Sequence, residues 1–98
     1  MHNYLINASL QMLPLARDRH PYAWVDEVIA VIQASGLAYE IGPFTTIVEG
    51  SYEAVIQVIN TINEHLVANA CPEWILQVQL QLRSDGDMTG SEKTAKYT

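Results

Sequence analysis

The sequence predicts a small α+β domain with its elements in the order βαββαβ. Segments 4–13 and 74–83 alternate apolar and polar side chains, as strands with one buried face do. Two longer segments place apolar residues at helical spacing, and a Gly-Pro turn separates two short segments rich in apolar and β-branched residues. The 98 residues suit a single domain of this kind.

The first strand, residues 4–13, separates its side chains cleanly onto two faces. One face is polar, and the other carries Tyr4, Ile6, Ala8, Leu10 and Met12. Pro14 is expected to end this strand. The last strand, residues 74–83, repeats the pattern, with Trp74, Leu76, Val78, Leu80 and Leu82 on its apolar face.

Both helices have recognisable ends. Pro21 suits the first turn of a helix, and Gly36 is a typical C-terminal stop. Ser51 is placed to cap the second helix, which we expect to end within residues 69–72. The predicted buried stripes are Val25, Val28, Ile29 and Ile32 in the first helix, and Val55, Ile59, Ile62 and Leu66 in the second.

Between the helices, segments 37–41 and 44–48 read as two strands joined by the turn Gly42-Pro43, and Gly50 is expected to break the second of them. Two βαβ units then form one four-stranded antiparallel sheet with both helices on one face, which is the ferredoxin-like arrangement. The first and third strands should be central. We assign residues 1–83 to this domain and residues 84–98 to a polar C-terminal tail, expected to be mobile or to contact a partner.

The sheet face without helices is predicted to be rich in neutral amides and hydroxyls. It carries Asn7, Ser9, Gln11, Gln77, Gln79 and Gln81, where a solvated face usually carries Lys and Glu. Neutral amides tolerate burial when they pair with each other. Three interpretations follow: a solvated face, an interface that packs sheet on sheet, and a small-molecule site, of which the last two are compatible.

Composition narrows the possible partners. Five basic residues against eleven acidic ones, for a net charge of −6, argue against nucleic acid and anionic membranes, which need a basic patch. Cys71 is the only cysteine, which fits a reducing compartment. The N-terminal residues do not resemble a signal peptide, so we expect a cytoplasmic protein.

No catalytic centre is expected. His2, His20 and His65 lack a shared metal-ligand spacing, and no nucleophile elbow or phosphate-binding loop is present. Cys71 is interpreted as a small, partly buried residue rather than a nucleophile.

Glu49 allows two interpretations. It is either a turn carboxylate near a helix start or the partner of a cationic ligand. In the second case a flat ring could stack on Tyr39, Phe44, Tyr22 or Trp24, although aromatic residues in small domains usually belong to the core.

Residues 39–50 read Tyr-Glu-Ile-Gly-Pro-Phe-Thr-Thr-Ile-Val-Glu-Gly, followed by Ser51, Tyr52 and Glu53. This segment resembles the signature of the small thiamine-binding proteins (the YkoF-like group), roughly Tyr-x-x-Gly-Pro-x-x-Thr-x-x-Glu-Gly before a helix that opens with Ser or Asp and an acidic residue. The first strand, ending in Pro14-Leu15, and the polar end of the chain, residues 83–93, are similar to the same family.

The resemblance implies a ferredoxin-like fold, dimers or tetramers formed through the sheets, and binding of thiamine or its hydroxymethylpyrimidine part without catalysis. No cofactor is implied other than thiamine itself as ligand. The candidate ligand-binding residues are Ser9, Gln11, Tyr39, Phe44, Thr45, Thr46 and Glu49, of which the resemblance implies Ser9, Gln11, Thr46 and Glu49. Thr45 and Thr46 must point to opposite faces, and alternation does not decide which of them joins Ser9.

A second function stays open at this point. The chain could be a structural or regulatory oligomerisation module without a small ligand, in which the amide-rich face only holds subunits together.

Overall fold

The computed structural model describes residues 4–15 and 17–97 and contains one antiparallel sheet. The strands are β1 (Leu5–Pro14), β2 (Ala38–Ile41), β3 (Thr46–Ser51) and β4 (Trp74–Gln81). The helices are α1 (Pro21–Ala34), α2 (Tyr52–Ala68) and the short α3 (Gly90–Thr94), which is followed by a 3₁₀ turn, Ala95–Tyr97. The strand order β2-β3-β1-β4 confirms the predicted ferredoxin-like α+β fold, with β1 and β3 in the centre.

The core lies between the sheet and helices α1 and α2. Apolar side chains of β1 interlock with the inner faces of both helices, and the fully buried Trp24 is the largest of them. The other buried members include Ile6, Ala8, Leu10, Met12, Val28, Ile32, Val48, Val55, Val58, Ile62 and Leu66. Trp24 and Val58, which are outside the predicted stripes, therefore belong to the core, while Val25, Ile29 and Ile59 are only partly buried.

The helix ends follow from local chemistry. Pro21 opens α1 as predicted, and Gly36 follows the helix with a φ of 79°, a conformation that favours glycine. The Ser51 hydroxyl accepts a hydrogen bond from the Ala54 backbone N–H at 3.2 Å, which confirms the predicted cap of α2.

The third strand differs from the prediction because Gly50 does not break it. β3 begins at Thr46 and continues to Ser51, which pairs with Leu5 of β1. Gly50 is buried, and a Cβ at this position would lie 2.9 Å from Leu37 Cδ2. This glycine therefore permits a close approach by Leu37 rather than ending the strand.

The segment after β4 folds back across the sheet. We call residues 84–97 the C-terminal strap. Its Met88 is buried and donates its backbone N–H to Leu5 O at 2.9 Å, while Asp87 Oδ1 accepts from Leu5 N at 2.8 Å. The division of the chain at residue 83 stays a prediction, but the strap contacts the predicted domain. Within the described ranges, no helix has the length and apolar character needed to cross a membrane.

Candidate functional site

The register of β3 decides which predicted site residues can meet. Thr46 lies opposite Leu10, whose side chain is in the core, so Thr46 faces the helices. Ile47 and Glu49 lie opposite Ser9 and Asn7 and face away from the helices. Thr46 and Glu49 are therefore on opposite faces of the sheet and cannot contact the same side of one small ligand.

Thr46 lies in a cleft between α1 and the turn that joins β2 to β3. We call it the α1–hairpin cleft; its volume is about 220 Å³. Tyr22 and Phe44, which are 73% and 79% exposed, contribute to its walls. The lining also includes Val25, Ile29, Ile41, Gln11 and Thr45, so four of the seven predicted site residues border this cleft.

The Thr46 hydroxyl is the unusual group of the cleft. The residue is only 7% exposed, and its side chain makes no hydrogen bond to any residue that the structure describes. A buried hydroxyl without a partner costs about 1–3 kcal/mol. The geometry therefore offers a polar anchor inside a mostly apolar cleft.

The turn beside Thr46 is held in one shape. Gly42 donates its backbone N–H to Thr45 O at 2.9 Å, and a Cβ on Gly42 would lie 2.9 Å from that same oxygen. This close approach fixes the position of Phe44 at the edge of the cleft. It also explains physically why a glycine is needed ahead of Pro43 in the hairpin motif.

The other predicted site residues lie elsewhere. Ser9 and Glu49 are on the face opposite the helices, which we call the open face, and Tyr39 borders a hollow between β2 and the strap together with Glu49. Thr45 borders both the α1–hairpin cleft and a hollow that contains Ser9. The seven residues do not surround one cavity, and their roles in ligand binding stay predictions.

Glu49 has a partner within the chain. Its Oε1 accepts a hydrogen bond of 2.6 Å from the Gly90 backbone N–H, at the start of α3. Sequence reasoning missed this contact because the strap carries no periodicity that would place it on the sheet. The sequence feature that could have indicated this contact is the unusual lack of charge on the open face. Lys93 of the strap brings a cation to that face and donates to Asn7 Oδ1 and Gln81 Oε1 at 2.9 Å each.

Comparison with known proteins adds a family to this geometry. A family model described as "Thiamine-binding protein" matches residues 8–98. A UPF0045 protein of Clostridium perfringens is 32% identical over 91 residues, which cover 93% of this chain and 95% of that protein.

The chain belongs to the thiamine-binding protein family. The resemblance drawn from the hairpin motif is thereby confirmed.

Solved structures agree with this membership. A domain of unknown function (DUF77) from Bacillus cereus superposes with a TM-score of 0.90 at 28% identity, covering 98% of this chain and 92% of that one. A Thermotoga maritima protein, described provisionally as acting in thiamine biosynthesis or salvage, gives 0.86 at 26% identity, covering 96% and 99%. The fold of this thiamine-binding family member is therefore shared over nearly its whole length.

Burial, helix capping and ion pairing account for several titratable side chains in the described ranges. Burial raises the pKa of the Cys71 thiol, which leaves it protonated and a poor nucleophile at neutral pH. His20 caps α1 and His65 pairs with Glu27 at 2.7 Å, whereas His2 lies outside the described residues. Among residues 4–15 and 17–97, no group of three or more His, Cys, Asp and Glu side chains is placed to hold a metal.

Trp24 is not available for ligand stacking. It is buried in the core, and its Nε1 donates to Asp18 Oδ1 at 3.2 Å. Of the four aromatic residues considered for this role, Tyr22 and Phe44 border the α1–hairpin cleft.

Proposed function

We propose that this chain is a non-catalytic, cytoplasmic binding protein for thiamine or its hydroxymethylpyrimidine part, acting as a carrier, buffer or sensor and assembling through its open face. The family and the description of the Thermotoga relative support a thiamine-related role. The observation that supports a particular binding site is the buried Thr46 hydroxyl, which has no partner among the described residues and belongs to the α1–hairpin cleft.

The chemistry of the cleft suits a pyrimidine ring. Its volume, about 220 Å³, lies below the roughly 300–1,000 Å³ typical of drug-sized ligands, so it suits one substituted ring. Thr46 can donate to a ring nitrogen or accept from the exocyclic amine, and Tyr22 and Phe44 offer aromatic surface to a flat ring. The cleft also contains no nucleophile paired with a base among its lining residues, in keeping with binding without turnover.

The charge of thiamine has no carboxylate partner in this cleft. Glu49 lies on the opposite face of β3, and no carboxylate borders the cleft. We therefore expect the neutral pyrimidine to bind nearly as well as thiamine, with the thiazolium ring outside the cleft and stabilised only weakly by the net charge of −6.

Calorimetric titration of the wild type and of Thr46→Val with thiamine and with hydroxymethylpyrimidine tests the site. Loss of one ligand hydrogen bond should weaken both ligands about tenfold, corresponding to ~1.4 kcal/mol. The apo variant should unfold at the same temperature as the wild type or higher, because valine removes an unsatisfied buried hydroxyl while keeping the side-chain shape.

Two further variants sharpen the test. Thr61→Val makes the same chemical change at an exposed threonine of α2 outside the cleft lining, and Glu49→Gln neutralises the carboxylate on the opposite face. Neither should change the affinity by more than about twofold. Absence of heat and of any thermal shift at millimolar ligand would refute the proposed function, and an unchanged affinity in Thr46→Val would refute the site.

A further inference from the structure

The open face holds a second hollow, separate from the α1–hairpin cleft. Its volume is about 710 Å³, and it lies where the strap meets β1 and β4. Asn7, Ser9, Gln79, Gln81 and Lys93 supply its polar lining. No carboxylate borders it, although acidic residues outnumber basic ones by eleven to five in the chain. The hollow is therefore rich in hydrogen-bond donors.

Lys93 brings a positive charge to this hollow, and it also borders the adjoining hollow that contains Glu40 and Glu49. Its Nζ donates to Asn7 Oδ1 and to Gln81 Oε1, both at 2.9 Å and both neutral. No ion pair joins Lys93 to a carboxylate within the described ranges. An ammonium group has three N–H donors, so one remains for a ligand.

Asn7 is the second donor without an acceptor. The residue is only 7% exposed, its amide nitrogen lies beside Gly90 at the start of α3, and its oxygen is occupied by Lys93, which fixes the orientation of the amide. No residue in the described part of the chain accepts a hydrogen bond from Asn7 Nδ2. Leaving this buried donor unsatisfied costs about 1–3 kcal/mol, so an acceptor from outside the chain would stabilise it.

From these two groups we propose that the hollow binds a phosphoryl oxyanion, either free phosphate or the phosphate of a monoester. The charged Lys93 N–H and the Asn7 amide supply the first contacts, and the Gln79 amide and Ser9 hydroxyl add donors from two strands. Donors from three elements suit a group with three or more oxygens better than a planar carboxylate with two.

The neighbouring Glu49 limits the affinity. It lies opposite Asn7 in the sheet register, and its Oε1 is occupied by the Gly90 N–H. Its negative charge still repels an anion in the hollow. Removal of this charge should therefore increase the affinity for phosphate. A general loss of structure would decrease that affinity, so the two effects can be distinguished.

The experiment follows the side-chain NH₂ signals of asparagine and glutamine in ¹H–¹⁵N spectra of the full chain during titration with inorganic phosphate at constant ionic strength and pH. We expect saturable shifts of the Asn7, Gln79 and Gln81 signals. Lys93→Gln should weaken phosphate binding at least about tenfold. Lys96→Gln, a matched change at the other strap lysine, should leave it unchanged; Lys96 lies over the Tyr97 ring and outside the hollow.

Two variants test whether weaker phosphate binding results only from a disordered strap. Lys93→Arg keeps the charge and should retain binding within about threefold. Glu49→Gln keeps an oxygen for Gly90 and should tighten binding about two- to fivefold. Linear shifts without saturation, or equal losses in Lys93→Gln and Lys96→Gln, would refute the site.

Comparison of ligands identifies the source of the phosphoryl group. Tighter binding of glycerol phosphate than of inorganic phosphate would assign the site to monoesters, and the reverse order would assign it to free phosphate. Acetate binding as tightly as phosphate would overturn the phosphoryl assignment. None of these titrations involves thiamine, so the outcome is independent of the α1–hairpin cleft.

Discussion

Gly50 combines a strand position with a packing constraint. It pairs with Ile6 inside the sheet, and the Leu37 side chain occupies the space that a Cβ would need. Leu37 itself packs against the core where the chain leaves α1 for β2. Because Gly50 has no side chain, the connection between α1 and β2 can pack closely against β3.

Gly50→Ala should destabilise the protein by no more than about 1 kcal/mol, because the new methyl group requires the end of the Leu37 side chain to move. Denaturant unfolding at equilibrium measures the loss. The double variant Gly50→Ala/Leu37→Ala tests the cause: the clash requires that the two losses be less than additive. Fully additive losses would show that Leu37 is not the obstacle.

Much of the residue-level pattern could be predicted from the sequence, because alternation and capping are local. The two faces of β1, the Ser51 cap and the Pro21 helix start needed only neighbouring residues. The orientation of Thr46 relative to Ser9 could not be predicted, because it depends on the register between strands. That register places Thr46 opposite Leu10 and Ile47 opposite Ser9.

Among the elements, the strap depends most on contacts with the rest of the chain. Its helix α3 has five residues, far fewer than an isolated helix needs in water. Buried Met88, the Glu49–Gly90 hydrogen bond and an ion pair of 2.9 Å between Arg83 and Glu92 hold it in place. These contacts join residues distant in sequence (Lys93 and Asn7 are 86 positions apart), so neither composition nor periodicity could reveal them.

The strap should loosen in acid. The hydrogen bond from Arg83 lowers the pKa of Glu92, so the folded state binds this proton less readily than the unfolded state. The Arg83–Glu92 pair therefore contributes to the stability of the strap above the ordinary glutamate pKa of about 4.3. This contribution is lost as the pH falls through the lowered pKa of Glu92.

Amide hydrogen exchange of residues 90–94 checks this prediction. It is measured above and below pH 4, and the rates are corrected for intrinsic exchange. Protection should fall in the wild type as the pH is lowered. Glu92→Gln should show weaker protection at high pH and little further change in acid. A wild-type strap equally protected at both pH values would contradict the assigned role of the pair.

On the scale of the whole molecule, the two faces of the sheet are used differently. Helices α1 and α2 cover the central strands on one face, whereas the strap covers only the Asn7–Gln81 end of the other. The uncovered end places Leu13 directly opposite Ile75, which is 44% exposed, and Gln11 opposite Gln77. Apolar and neutral amide side chains together suit the proposed sheet-on-sheet assembly.

Charge introduced on this end should dissociate the assembly. In Gln11→Glu/Gln77→Glu, two carboxylates would have to be buried without partners between packed sheets, which costs several kcal/mol. Sedimentation in phosphate-free buffer should therefore show a smaller species than for the wild type. Gln33→Glu/Gln57→Glu carries the same charge change on exposed helix positions and should sediment as the wild type does. An unchanged assembly in the first variant would exclude the open face as the interface.

The six residues of β3 have a consequence for how the protein can change over evolutionary time. Thr46, at an even-numbered position, borders the α1–hairpin cleft, while Glu49, at an odd-numbered one, supports the strap beside the proposed phosphoryl site. Because the backbone between them is shared but the side chains point apart, substitutions at alternate positions act on separate surfaces. Ligand preference in the cleft and the properties of the open face can therefore diverge independently within one short strand.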